Sequence, residues 1–147
     1  MLLQKILLLL LIIFSIACHN VETGSTLTKA DITRIKKLNL LDSNETIYKF
    51  YSEFRKKTAG NFFTNKRMAS YWIDDHDKSK NRTSFAFYPD IISIDTVYNA
   101  GLTYAPYMLV TKKDSSQFKV CVEGKREQIK SFFEDAMKKW KENKKDK

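Results

Sequence analysis

Apolar positions near the C-terminus recur with the period of a helix. Ile129, Phe132, Phe133, Ala136, Met137 and Trp140 fall at i, i+3, i+4, i+7, i+8 and i+11, and Lys, Glu, Asp and Arg fill the opposite face. This stripe predicts an amphipathic helix over residues 125 to about 141, starting after the break at Gly124. A stripe of this width more commonly packs on its own protein's core than on a membrane surface. Upstream, the pattern shortens to runs rich in β-branched and aromatic residues, separated by polar turns. Seven such runs are legible: 46–51, 60–64, 67–73, 83–87, 91–98, 106–112 and 117–122. Asn65-Lys66, Asn99-Ala100-Gly101 and Asp114-Ser115-Ser116 supply turn chemistry between them.

Before the strands, Ile32, Ile35 and Leu38 return to helical spacing. Thr28 stands where an N-cap belongs, with Asp31 three residues on in place of the usual Glu of a capping box. A short helix is therefore expected within residues 29–42. Residues 18–28 are largely polar and carry Gly24, which reads as a flexible tether. The strand region with its helix occupies 43–141, and 142–147 form a basic tail.

The first residues have another pattern. Lys5 is followed by a dozen apolar or small residues ending at Ala17, then Cys18 and the polar His19-Asn20-Val21-Glu22. The run is short for a spanning helix, which needs roughly 20 residues, and its layout is that of a cleaved export signal over residues 1–17. Ser15-Ile16-Ala17-Cys18 resembles the lipobox of bacterial lipoproteins, although the position three residues before the Cys, commonly Leu, is Ser15. The resemblance implies a diacylglyceryl thioether on Cys18 and a further acyl chain, palmitate-like, on its amine. Two or more chains hold a protein to a bilayer far better than one. His19 rather than Asp after the Cys weakly favours the outer membrane, where there is one.

Composition narrows the partners. The chain has 147 residues and a net charge of +9, of which Lys5 leaves with the signal. What remains suits one domain. A basic protein favours anionic partners, and export makes nucleic acid the least fitting of them, leaving anionic lipid or polysaccharide and envelope proteins. Much of the excess is local, with six lysines between Lys138 and Lys147, a pattern expected of a solvated tail. Cys121 is the other cysteine, so no disulfide is available once Cys18 is lipidated.

The domain resembles the bacterial pleckstrin-homology-like (PH-like) family over residues 41–141. The features are Glu45 before Thr46-Ile47-Tyr48, a Thr64-Asn65-Lys66-Arg67-Met68 turn, the strand Asp90-Ile91-Ile92-Ser93-Ile94, the Lys112-Lys113-Asp114 turn and the terminal helix. The resemblance implies a mainly β fold with helices (α+β). Its seven strands would form a PH-like barrel or two packed antiparallel sheets, capped by the C-terminal helix. It also implies a binding or scaffold role rather than an enzyme, since few members catalyse reactions and function lives in sites placed on the fold.

Candidate sites follow. Lipid-binding relatives hold phosphorylated head groups with cations in the loop after the first strand, so Arg55, Lys56 and Lys57, with Lys66 and Arg67, are candidate anion binders. The 98–107 segment carries Tyr98, Tyr104 and Tyr107 between Gly101 and Pro106, which suits an interface. Asp74-Asp75-His76-Asp77 is rich in oxygen but lacks the spacing of a calcium loop, and no metal or cofactor is expected. Lys119 lies on the same strand face as Cys121, where a cation would lower a thiol's pKa. No catalytic constellation is legible among the Ser, His and acidic residues.

Overall fold

The structure is a computed structural model that describes residues 20–144; Cys18 and the apolar run before it lie outside the described residues. Helix α1 (Lys29–Lys37) precedes strands β1 (Ile47–Tyr51), β2 (Ala59–Thr64), β3 (Arg67–Trp72), β4 (Arg82–Phe87), β5 (Ile91–Val97), β6 (Tyr107–Lys112) and β7 (Gln117–Cys121). Helix α2 (Arg126–Asn143) follows. All strand pairs are antiparallel. They form two sheets in the orders β1-β2-β3-β4 and β5-β6-β7, so the sheets do not close into a barrel, and packed sheets are the form adopted. A 3-10 turn at Tyr88–Asp90 carries the chain from one sheet to the other. Tyr88 anchors it by donating its hydroxyl to the Thr64 carbonyl at 2.6 Å.

Two cores result. The first lies between the sheets and under α2. It holds Phe63 and Met68 from the first sheet, Ile94, Met108, Val110 and Val120 from the second, and Phe132, Phe133 and Trp140 from the helix. Phe132 meets Phe63 edge to face at 5.2 Å. Lys49 ties β1 to α2 by pairing with Asp135 (2.6 Å) and donating to the Ser131 hydroxyl (2.7 Å). The helix is the predicted stripe at work, and it runs two residues past the predicted end, to Asn143.

The second core lies on the outer face of the first sheet. Phe50, Phe62, Ala69 and Tyr71 present that face, and Leu27, Ile35, Leu40 and Leu41 cover it. β2 is consequently buried along its whole length. The cover is held by local chemistry. The capping box is present: Thr28 Oγ1 accepts from the Asp31 amide at 3.1 Å, and Asp31 Oδ2 accepts from the Thr28 amide at 3.2 Å. α1 ends in a Schellman turn, with Asn39 at φ 59°, the Leu40 amide on the Ile35 carbonyl and the Asn39 amide on that of Lys36. Its hydrophobic contact, Leu40 on Ile35, is part of the second core. Gly60 is required beneath it, since a Cβ there would lie 2.4 Å from the Tyr71 ring.

The expected tether differs. Glu22 exchanges both backbone hydrogen bonds with Phe50 at 2.8 Å, extending the edge of β1. Leu27 is buried, and a Cβ on Gly24 would strike the Ile47 carbonyl. Residues 22–28 are thus docked on the domain. Their polarity hid this because the docking uses main-chain bonds, an ion pair from Glu22 to Lys56 and a single leucine. No helix among the described residues is long and apolar enough to cross a membrane.

Candidate functional site

The five candidate cations do not converge. Lys57 precedes β2 and Lys66 follows it, and a six-residue strand separates such positions by roughly 20 Å. Arg67 is buried in the first sheet's turn. Its Nε donates to Glu45 Oε1 at 2.9 Å, its Nη2 pairs with Glu45 Oε2, and Nη2 also reaches Asp42 at 2.8 Å. The Phe85 and Phe87 rings lie 4.9 and 4.4 Å from the guanidinium. Glu45 further accepts from the Thr64 hydroxyl (2.7 Å) and the Asp42 amide (2.8 Å). Two motifs noted separately in the sequence, Glu45 and the Thr64–Arg67 turn, are therefore one buried, hydrogen-bonded ion pair. Lys56 does similar work at the other end of β2, pairing with Glu22 at 2.7 Å and lying 4.0 Å from Asp31. Asp31 is pulled up by burial but further down by Thr28 and Arg34, so its carboxyl ends below the ordinary value. Lys57 pairs with Asp75, Lys66 donates to Asn44, and Arg55 lies over the Phe54 ring at 5.0 Å. Lys56 and Arg67 clasp the N-terminal segment, with their charges engaged by carboxylates of the chain.

The acidic loop is likewise self-satisfied. Asp74 Oδ1 accepts from the amides of His76 and Asp77, and Asp77 caps the turn at Lys78–Lys80. No group of His, Cys, Asp and Glu suited to a metal occurs among the described residues. Cys121 is half-buried, and desolvation with the nearby Glu53 charge pushes its thiol up to about 11, outweighing the pull of Lys119. The lowering that Lys119 alone would give is thus overridden, and the thiol is held as a poor nucleophile. Lys119 instead lies 4.2 Å over the Tyr107 ring. Asn61 is the buried polar hub here. Its Oδ1 accepts from the Cys121 amide (2.9 Å) and its Nδ2 donates to Glu53 (2.6 Å), stitching β7 of one sheet to β2 of the other. Burial raises the Glu53 pKa, against the opposing hydrogen bonds.

The tyrosines separate into three roles. Tyr107 is fixed in β6, Tyr104 stands in solvent, and Tyr98 packs on Phe133 with ring centroids 5.2 Å apart. Tyr98 opens an arrangement suited to recognition. An open groove of about 810 Å³ runs between the end of β5 and α2, lined by Thr96 and Tyr98 on one side and by Phe133, Glu134, Met137, Lys138, Lys141 and Glu142 of the helix on the other. β5 is an edge strand, and among the described residues no hydrogen bond covers its outer main chain from Ile92 to Val97. An unpaired edge offers alternating N–H and C=O groups. The groove thus combines main-chain hydrogen-bonding capacity, an apolar floor, the carboxylates of Glu134 and Glu142, which pair with Lys130 and Lys139, and the ammonium groups of Lys138 and Lys141. Sequence patterning assigned Phe133 and Met137 to the core stripe and the two lysines to the tail. The signal that marks them is that Met137 sits at the flank of the stripe, beside Lys138 and Lys141.

No protein-family model matches the chain, and no curated protein matches it. Among solved structures it is similar to the crystal structure of a DUF1696 family protein with a pleckstrin-homology domain from Shewanella loihica PV-4. The identity is 13%, the TM-score 0.52, and the match covers 86% of this chain and 98% of that one. The likeness supports a PH-like fold.

Proposed function

We propose that this protein is a non-enzymatic, membrane-anchored binding domain that captures an extended, acidic segment of another envelope protein along β5. The observation that carries the reading is the free edge of β5 beside the groove. A segment added to that edge would take its affinity from main-chain bonds and its specificity from side chains set against Tyr98, Phe133 and Met137. Carboxylates on the segment would meet Lys138 and Lys141, which speed encounter and bias partner choice more than they add affinity. The anchor is read from the lipobox-like Ser15-Ile16-Ala17-Cys18, which would confine the domain to the cell envelope. A head-group pocket built from Arg55, Lys56, Lys57, Lys66 and Arg67 is less favoured, because three of these cations already bond carboxylates.

A photo-crosslinking amino acid at Thr96, compared with one at Lys36 on the far side of the first sheet, tests the reading in the native envelope. A protein adduct at position 96 that is absent at 36 and lost in Met137→Glu supports it. Adducts indifferent to Met137→Glu would count against it.

A further inference from the structure

The chain leaves the described domain at a defined place. Glu22 is bonded to Phe50 near the end of β1, and its carboxylate holds Lys56 of the β1–β2 connection. Val21 packs on the core between the sheets. Cys18 is three residues before Val21, so an acyl-bearing residue there lies within about 11 Å of chain reach. A docked segment this short fixes which part of the domain is nearest the anchor.

That same end carries three of the four most exposed large hydrophobic side chains among the described residues. Phe54 of the β1–β2 connection is 53% exposed, with the Arg55 guanidinium over its ring. The β5–β6 connection, residues 98–106, is joined to this end through a chain of contacts. The Val122 amide donates to the Pro106 carbonyl at 3.0 Å, Tyr107 pairs with Cys121, and Cys121 is bonded to Asn61, which holds Glu53 beside Phe54. This connection carries Leu102, fully exposed at 106%, and Tyr104 at 72%. Ile92 is the contrast. It is 55% exposed but sits at the start of β5, where neighbouring Ile91 pairs with Lys112 before the β6–β7 turn, away from the exit.

We propose that this end is the membrane face of the protein, with Phe54, Leu102 and Tyr104 entering the head-group layer of the bilayer that holds the anchor. The inference rests on the anchored reading of Cys18. Aromatic and aliphatic side chains at loop tips gain burial there without exposing strand edges to lipid, and Tyr104 and Arg55 keep their polar ends at the level of water and phosphate.

The test uses the mature lipidated protein in vesicles of phosphatidylethanolamine and phosphatidylglycerol, some carrying brominated acyl chains. Single cysteines at Phe54, Leu102 or Ile92, on a Cys121→Ala background, carry an environment-sensitive fluorophore. The expected result is a blue shift at 54 and 102 and quenching there several-fold stronger than at 92. Protein that floats with the vesicles but is quenched equally at 102 and 92 overturns the membrane face while leaving the anchor intact. Protein that fails to float removes the anchor and the inference together. A blue-shifted, unquenched label at 102 reassigns the tips to protein contact, which also overturns it.

Discussion

The two cores of this molecule are built by different means. The core between the sheets draws on all seven strands and α2, and its members come from residues far apart in sequence. The outer core is a cover: residues 27–41 laid over β1, β2 and β3. The first depends on shape and volume. The second depends on a capped nine-residue helix, a Schellman turn and two ionic clasps, Lys56 at one end of β2 and Arg67 at the other. A short helix is marginal alone and acquires stability from the face it covers. The difference teaches that the N-terminal segment is part of the domain, and that its charges hold it in place so that the chain exits at one fixed end.

Breaking the inner core should have the largest effect. Phe132→Ala removes a ring packed on Phe63 and should cost about 3–5 kcal/mol, enough to unfold much of the protein, as read by urea denaturation. Arg67→Met should cost about 3–5 kcal/mol as well, because it strands the buried Glu45 carboxylate. The double variant Arg67→Met/Glu45→Leu should recover part of that loss; if it is worse than Arg67→Met, the pair is not the source of the cost. Thr28→Ala removes one cap and should cost about 1 kcal/mol. Its increased hydrogen exchange should be confined to α1 and spare α2, so matching increases in both helices would erase the distinction between the cores.

The smallest effect is one of pH. Glu53 has a raised pKa in the fold, so it stabilises the protein while protonated. That contribution is lost as pH rises from the ordinary glutamate value of 4.5 through the raised one. Glu53→Gln should therefore be at least as stable as the parent at pH 7, and the difference between them should shrink as pH falls toward 4.5.

The sequence was most readable where structure is local. The strand limits fall within about two residues of the patterned runs, and the Thr28–Asp31 cap and the stripe on α2 were visible in spacing alone. Long-range pairing was not. Arg67 looked like a ligand-binding cation because nothing in its neighbourhood announces Glu45, 22 residues away. Lys56 has its partner 34 residues upstream, in a segment whose polarity suggested a tether. The groove escaped notice for a similar reason. Its floor shares residues with the core stripe, and its free edge exists only because β5 has a neighbour on one side.

Strand addition to β5 is the central claim, and hydrogen exchange reads it directly. Once the crosslinked partner segment is identified, its peptide should slow exchange of β5 amides between Ile92 and Val97 and leave those of β4, the edge of the other sheet, unchanged. Protection at β4, or on the exposed face of α2 with β5 unaffected, would contradict it.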